Sequence, residues 1–341
     1  MFRLLSFLSP LLGAERVHNW AVFLLRLLGK VPGARWFMRK LYAVEDVSLE
    51  RDVFGIHFRN PIGMAAGFDR NGEIFSQLGA MGFGFVEIGT VTPEPQNGNP
   101  KPRMFRLDDD RAIMNRIGLS SKGLEYAVSK LRHNSGDVVI GCNIGKNSAT
   151  EPCDAPHDYL RVFRNLYQYV DYFSVNVSYN TSFKQYVPRT RESIISILEP
   201  LFDFRRGQNQ YRPILLKISP DLTDEDIDMM TDIMVDTPLD GIVATNGTAR
   251  HTGLVTDPQT LKRYGSGAVS GQPLTKRSIE VVRRVYQRSN GTYPIIGVGG
   301  IMTPEDAKAM LDAGATLVQV YTGFVYNGPS FVGNICKHLL S

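Results

Sequence analysis

At 341 residues, 43% hydrophobic and 21% charged, the chain has the composition of a globular protein with enough apolar residues for a large core. Its three cysteines (Cys142, Cys153, Cys336) fall in no metal-ligand or disulfide spacing, which sets aside a disulfide scaffold and a cysteine metal site and favours a reducing compartment. The net charge of +4 is unevenly placed, with +6 in residues 1–40 and −2 in the remainder, so the chain reads as carrying one basic surface element and not as a nucleic-acid binder.

That basic element is also apolar. Residues 2–12 (FRLLSFLSPLL) and 17–28 (VHNWAVFLLRLL) are rich in Leu, Phe and Trp, and Trp36-Phe37-Met38 follows. Neither run reaches the ~18–20 uncharged residues of a spanning helix; Arg16 and Arg26 interrupt them, and Gly29 with Pro32 ends the second. The pattern predicts helices lying in the membrane interface, with Lys and Arg meeting anionic lipid. A cleaved signal peptide and a helical hairpin packed on its own domain are the competing readings.

After about residue 44, short apolar and β-branched runs alternate with longer helical stretches. The predicted strands are Ile62–Ala66, Phe85–Gly89, Val138–Asn143, Tyr172–Val177, Ile214–Ile218, Gly241–Thr245, Ile295–Val298 and Leu317–Tyr321. Amphipathic stretches such as Glu192–Leu201, Asp224–Val235, Arg277–Gln287 and Pro304–Asp312 lie between them. Eight such repeats predict an α/β fold, a closed (β/α)8 TIM barrel over residues 45–341, with residues 1–44 as an N-terminal helical extension. The irregular stretches 91–115 and 246–272 read as lids or surface loops.

The strand ends are polar and glycine-rich, and in such a barrel the C-terminal strand ends surround the active site. Pro294-Ile-Ile-Gly-Val-Gly-Gly300 runs a buried strand into a glycine turn, after which Thr303, Pro304 and Asp306 predict an N-cap, a first helical residue and a capping box. Glycines there let backbone N–H groups approach a phosphate, with Ser270-Gly271 and Tyr321-Thr322-Gly323 offering further donors. Lys217, inside the apolar run Pro213-Ile-Leu-Leu-Lys-Ile, needs a partner, and a flavin ring whose reduced form is negative supplies one. Asn115, Asn143, Asn176, Asn180 and Asn246 both donate and accept, as a planar ring with alternating C=O and N–H groups requires.

Ala65-Ala-Gly-Phe-Asp69, Glu87-Ile-Gly-Thr-Val-Thr-Pro93, Lys101-Pro-Arg-Met-Phe-Arg106, Met114-Asn-Arg-Ile-Gly118, Asn143-Ile-Gly-Lys146, Thr245-Asn246, Ser270-Gly-Gln-Pro-Leu274 and Ile296-Gly-Val-Gly-Gly-Ile301 together resemble the dihydroorotate dehydrogenase family, from about residue 15 to the end. The extension with Glu15-Arg-Val-His18 resembles its membrane-associated, quinone-dependent class. The resemblance implies FMN at Ala66, Gly67, Thr90, Asn143, Asn176, Lys217, Thr245, Gly271, Gly300, Tyr321 and Thr322. It implies dihydroorotate or orotate at Arg70, Asn115, Arg116, Ile117, Gly118, Leu119, Asn176, Asn180, Asn246 and Gly247, and quinone at His18 and Arg106. The implied reaction, in pyrimidine biosynthesis, oxidises a C5–C6 bond, with hydride leaving C6 for the flavin and a base taking the C5 proton. Electrons then pass to quinone at the cytoplasmic side of the cell membrane, where the protein is peripheral.

The chain departs from the family twice. The family loop Asn-x-Ser-Ser-Pro-Asn-Thr is here Asn176-Val-Ser-Tyr-Asn-Thr181, one residue shorter, with Tyr179 nearest the base position and Ser178 or Ser182 as substitutes. A tyrosine accepts a proton only if its pKa, about 10 when unperturbed, is lowered. The family's lysine after Phe-Asp is Arg70, bulkier, forked and never deprotonated. An FMN barrel with a different substrate, or with no turnover, is the alternative that these departures leave open.

Overall fold

The computed structural model describes residues 13–132, 137–178 and 190–341. Eight parallel strands close into a barrel: β1 (Ile62–Met64), β2 (Phe85–Val91), β3 (Val139–Ile144), β4 (Tyr172–Asn176), β5 (Ile214–Ile218), β6 (Gly241–Ala244), β7 (Ile295–Val298) and β8 (Leu317–Val320). Each pairs with the next in sequence, and Val318 opposite Ile62 closes the ring. All eight predicted strands are present, because strands buried on both faces read as continuous apolar runs.

The N-terminal ends of the strands enclose a plug of Phe85, Tyr172, Leu215 and Leu317, joined by Phe58 from the hairpin Arg51–Val53/Ile56–Phe58. Gly141 makes room for it: a Cβ there would lie 2.1 Å from the Tyr172 ring. With that end filled by aromatic rings, the polar groups of the barrel gather toward the other. Outside, the helices α3 (Arg191–Arg206), α4 (Asp224–Asp236), α5 (Thr275–Arg288) and α6 (Pro304–Asp312) include those the periodicity predicted. The Thr303–Asp306 capping box is present on α6 as expected.

The stretches 91–115 and 246–272 are more ordered than the sequence suggests. Met104–Leu107, Ala112–Asn115 and Ala268–Gly271 form a three-stranded antiparallel sheet. The Asp110 carboxylate accepts from the backbone N–H of Val255 (2.7 Å) and Thr256 (3.0 Å), tying one stretch to the other. The Arg116 guanidinium donates to the carbonyls of Tyr264, Ser266 and Pro102 and lies over the Phe105 ring. The side chain of this predicted substrate residue therefore joins the two stretches.

Two N-terminal helices precede the barrel among the described residues, α1 (Ala14–Leu28) and α2 (Ala34–Tyr42). Leu25 and Met38 are buried, and Arg26 pairs with Glu73 at 3.0 Å. The buried Glu15 carboxylate meets Arg103 at 2.8 Å, and Arg103 also donates to the carbonyls of Asn97 and Asn99. Burial raises the Glu15 carboxyl, but the Arg103 hydrogen bond and charge outweigh it and leave the pKa lowered. The pair thus holds α1 above the ordinary carboxylate range and is lost as pH falls through the lowered value. Arg103→Ala strands a buried carboxylate and is expected to weaken docking by about 3–5 kcal/mol. Limited proteolysis should then cut within residues 13–42 faster while the barrel resists; unchanged cleavage would show that the pair does not hold the helix.

Candidate active site

The C-terminal strand ends surround a cleft. Its wall takes Ala66, Gly67 and Arg70 after β1, Thr90 from β2, Asn143 from β3, Asn176 and Ser178 from and after β4, and Lys217 from β5. Thr245, Asn246 and Gly247 follow β6, Gly300 follows β7, and Gln319, Tyr321 and Thr322 come from and after β8. Asn115 through Leu119, with Ser270 and Gly271, complete it from the three-stranded sheet and its flanks. Every position expected to hold flavin lies in this wall, as does every described position expected to hold substrate. Tyr179 and Asn180 lie outside the described residues.

Beneath the cleft, charges and amides form one network. The Lys217 ammonium, expected to meet a bound ring, lies in the cleft wall and also meets Glu87 Oε1 at 3.4 Å. The same oxygen accepts from Asn143 Nδ2 at 3.0 Å, while Oε2 accepts from Gln319 Nε2 (2.7 Å) and the Tyr172 hydroxyl (3.3 Å). Asn143 Oδ1 accepts from Thr90 Oγ1 (2.6 Å) and Asn176 Nδ2 (3.2 Å), which links the network to the strand ends. Sequence reasoning missed the roles of Glu87, Tyr172 and Gln319. The signal was there for Glu87: like Lys217, it sits in a wholly apolar run, and two opposite charges in one barrel interior point to each other.

Ser178 is buried between two asparagines. Its hydroxyl donates to Asn176 Oδ1 at 3.0 Å and accepts from Asn246 Nδ2 at 2.9 Å. Arg70 donates through Nε to the Gly67 carbonyl at 3.2 Å, and its charge acts on the nearby Tyr321 hydroxyl. Two buried side-chain polar atoms among the described residues have no partner, Arg70 Nη2 and Gln319 Oε1, and both residues belong to the cleft wall. One is a cationic donor and the other an acceptor. An occupant presenting an acidic or carbonyl oxygen and an N–H satisfies both, as do a carboxylated substrate and the pyrimidine edge of a flavin.

At the turn after β7, Gly299 and Gly300 have φ of 119° and 75°, and a Cβ on Gly300 would lie 2.2 Å from the Thr275 backbone nitrogen. The turn is therefore pressed against the start of α5, with its backbone free to face a ligand.

The loop after β1 links the cleft to α1. His18 packs edge-on against Phe68 (5.1 Å between centroids), and Phe68 against Tyr321 (5.6 Å). Burial, with the Arg70 charge nearby, lowers the His18 imidazole to about 3, so the ring is neutral at pH 7. Arg106 lies 4.3 Å over the Tyr326 ring and pairs with Asp108 at 2.8 Å. Neither His18 nor Arg106 is part of the cleft wall.

Asp69, beside Arg70, accepts from the backbone N–H of Glu73 (2.7 Å) and Ile74 (2.8 Å). Burial nevertheless raises its carboxyl from 3.8 to about 6. A folded-state pKa above the unfolded one gives stability that is fully present below the unfolded value and lost as pH rises through the folded one. The loss is about 3 kcal/mol, spread between pH about 4 and about 6. Urea denaturation across that range should show the decline in the native protein and its absence in Asp69→Asn; equal slopes would assign the decline elsewhere.

The family model described as Dihydroorotate dehydrogenase matches residues 48–341. A relative from Christiangramia forsetii named Dihydroorotate dehydrogenase (quinone) is 44% identical over 326 residues, 96% of this chain and 94% of its own. One of the same name from Nocardia farcinica is 42% identical over 99% of this chain and 92% of its own. The crystal structure of the Eimeria tenella DHODH in complex with ferulenol superposes with a TM-score of 0.87 at 32% identity, covering 98% of this chain and 93% of that one.

Proposed function

The chain belongs to the dihydroorotate dehydrogenase family, and on that premise we propose that its cleft binds FMN and dihydroorotate and that residues 1–44 carry it to quinone at the membrane surface. It is a flavin-dependent oxidoreductase of pyrimidine biosynthesis that converts dihydroorotate to orotate with quinone as the acceptor. The observation that carries the finer reading is the placement of Ala66, Gly67, Thr90, Asn143, Asn176, Lys217, Thr245, Gly271, Gly300, Tyr321 and Thr322 around one cleft containing an unsatisfied donor and acceptor.

Bound flavin supplies a two-electron acceptor. The Lys217 ammonium and the amides of Asn143 and Asn176 would hold its ring, and the turn at Gly300 with Tyr321-Thr322 would hold its phosphate through backbone N–H groups. Asn115 through Leu119, Asn176, Asn246 and Gly247 hold the substrate ring; Asn180, assigned to it by the family resemblance, lies outside the described residues. Arg70 Nη2 takes the substrate carboxylate in a charge-assisted hydrogen bond. Ser178 Oγ, fixed between Asn176 and Asn246, receives the C5 proton. Neither amide can keep a proton, so the Ser178 hydroxyl must first lose its own to hydroxide from solvent. The alkoxide then takes the C5 proton and becomes the hydroxyl again, and turnover rises with pH. Releasing the flavin and determining its mass tests the cofactor: FMN supports the reading, and FAD or none refutes it.

Seven of the thirteen exposed large apolar side chains among the described residues fall between residues 20 and 41. Trp20, Phe23, Leu27, Trp36 and Phe37 stand beside exposed Arg16, Lys30 and Lys40, a combination suited to an interface rich in anionic lipid. No helix of the described residues is long and apolar enough to cross a membrane. The reading places the chain on the cytoplasmic face of the cell membrane, with quinone entering past His18 and Arg106. Trp20→Glu with Trp36→Glu should cut binding to phosphatidylglycerol vesicles at least tenfold and slow long-chain quinone reduction, with reduction by dihydroorotate unchanged. Native vesicle binding by the double variant would remove the assigned role.

A further inference from the structure

Glu87 is fully buried, yet the chemistry above gives it no part. Its four donors are Lys217, Asn143, Gln319 and Tyr172, and the first three line the cleft while Glu87 stands behind them. Stability does not explain such a pair, because replacing a buried ion pair with apolar residues of similar volume is often neutral or favourable.

We propose that Glu87 is a positioning residue that sets the electrostatic potential at the cleft floor, offsetting the Lys217 charge felt by the flavin and holding the Gln319 carbonyl toward the occupant. The proposal rests on the flavin reading above. A lone ammonium beside the ring would strongly stabilise the negative charge of the reduced form. With a carboxylate 3.4 Å from the ammonium, the ring meets the weaker field of a dipole, and reduced flavin is not held too firmly to pass electrons to quinone. Gln319 is oriented by the same group. Its Nε2 donates to Glu87 at 2.7 Å and to the Tyr172 hydroxyl at 3.4 Å, and the flipped amide would set its oxygen against a carboxylate. Its buried Oε1 is thereby left to accept from the occupant.

The test is the midpoint potential of the flavin in the purified holoprotein, measured by equilibration with redox dyes. Glu87→Gln keeps the shape and removes the charge, and its flavin should titrate at a more positive potential than the native one. Glu87→Gln with Lys217→Met removes both charges and leaves no unpaired ion to impair folding. The fraction that retains flavin should titrate below Glu87→Gln and slightly below native, because the positive end of the native pair faces the cleft. A Glu87→Gln protein that retains flavin at the native potential overturns the proposal. So does a double variant far more negative than native, which would mean that Lys217 acts unscreened. A colourless native protein overturns the flavin reading itself, and this inference with it.

Discussion

Ser178→Ala is expected to lower kcat for dihydroorotate oxidation by about 10²- to 10⁴-fold, the range for loss of a general base. Flavin content should stay native, because the residues assigned to the cofactor are untouched. The neighbouring geometry should also survive: Asn246 Nδ2 donates to the Ser178 backbone carbonyl at 3.0 Å as well as to the hydroxyl. The pH dependence of the native rate should vanish with the hydroxyl, since the residual reaction no longer waits on its proton. Rapid-mixing reduction of bound flavin by dihydroorotate reads this step apart from quinone reduction. If Ser178→Ala reduces at the native rate and Tyr179→Phe does not, the acceptor is Tyr179 and the serine only supports Asn176 and Asn246.

Gly300→Ala is expected to yield a protein with little or no flavin. The added Cβ would meet the Thr275 backbone nitrogen at 2.2 Å, and a φ of 75° already disfavours any side chain. The obstacle is backbone at the start of α5, so no flexible side chain can swing aside. The turn must shift, and the N–H groups assigned to the phosphate shift with it. A loss of about 2–4 kcal/mol in turn geometry corresponds to a cofactor affinity lower by about 30- to 1,000-fold. Fluorescence titration of the apoprotein with FMN measures it. Native affinity would place the phosphate elsewhere in the cleft.

The barrel was legible because its strands are buried on both faces, so Ile214–Ile218 and Ile295–Val298 appear in the sequence with the bounds they have in the fold. The glycine turn and the Thr303 cap were legible because each is a local device. What escaped depends on partners distant in sequence. The sheet joining 104–115 to 268–271 has four-residue strands among Pro and Gly, and its register, Val269 opposite Met114, exists only between segments far apart. Arg116 lies in the cleft wall as a substrate position should, but that its guanidinium also ties down backbone carbonyls was not legible, because no sequence pattern displays their positions. Lys217 stands out in the sequence as needing a partner, but that Glu87, in another strand with the same need, is one of its partners shows only in the fold. Of the two departures from the family pattern, Arg70 lies in the cleft wall, and the 176–181 loop is described only to Ser178.

The most direct test is to mix the purified protein anaerobically with dihydroorotate and follow the flavin absorbance. The account predicts that the yellow band bleaches and orotate appears in equal amount, with Arg70 and the shortened loop compatible with turnover. A yellow protein whose band dihydroorotate leaves unchanged would contradict it.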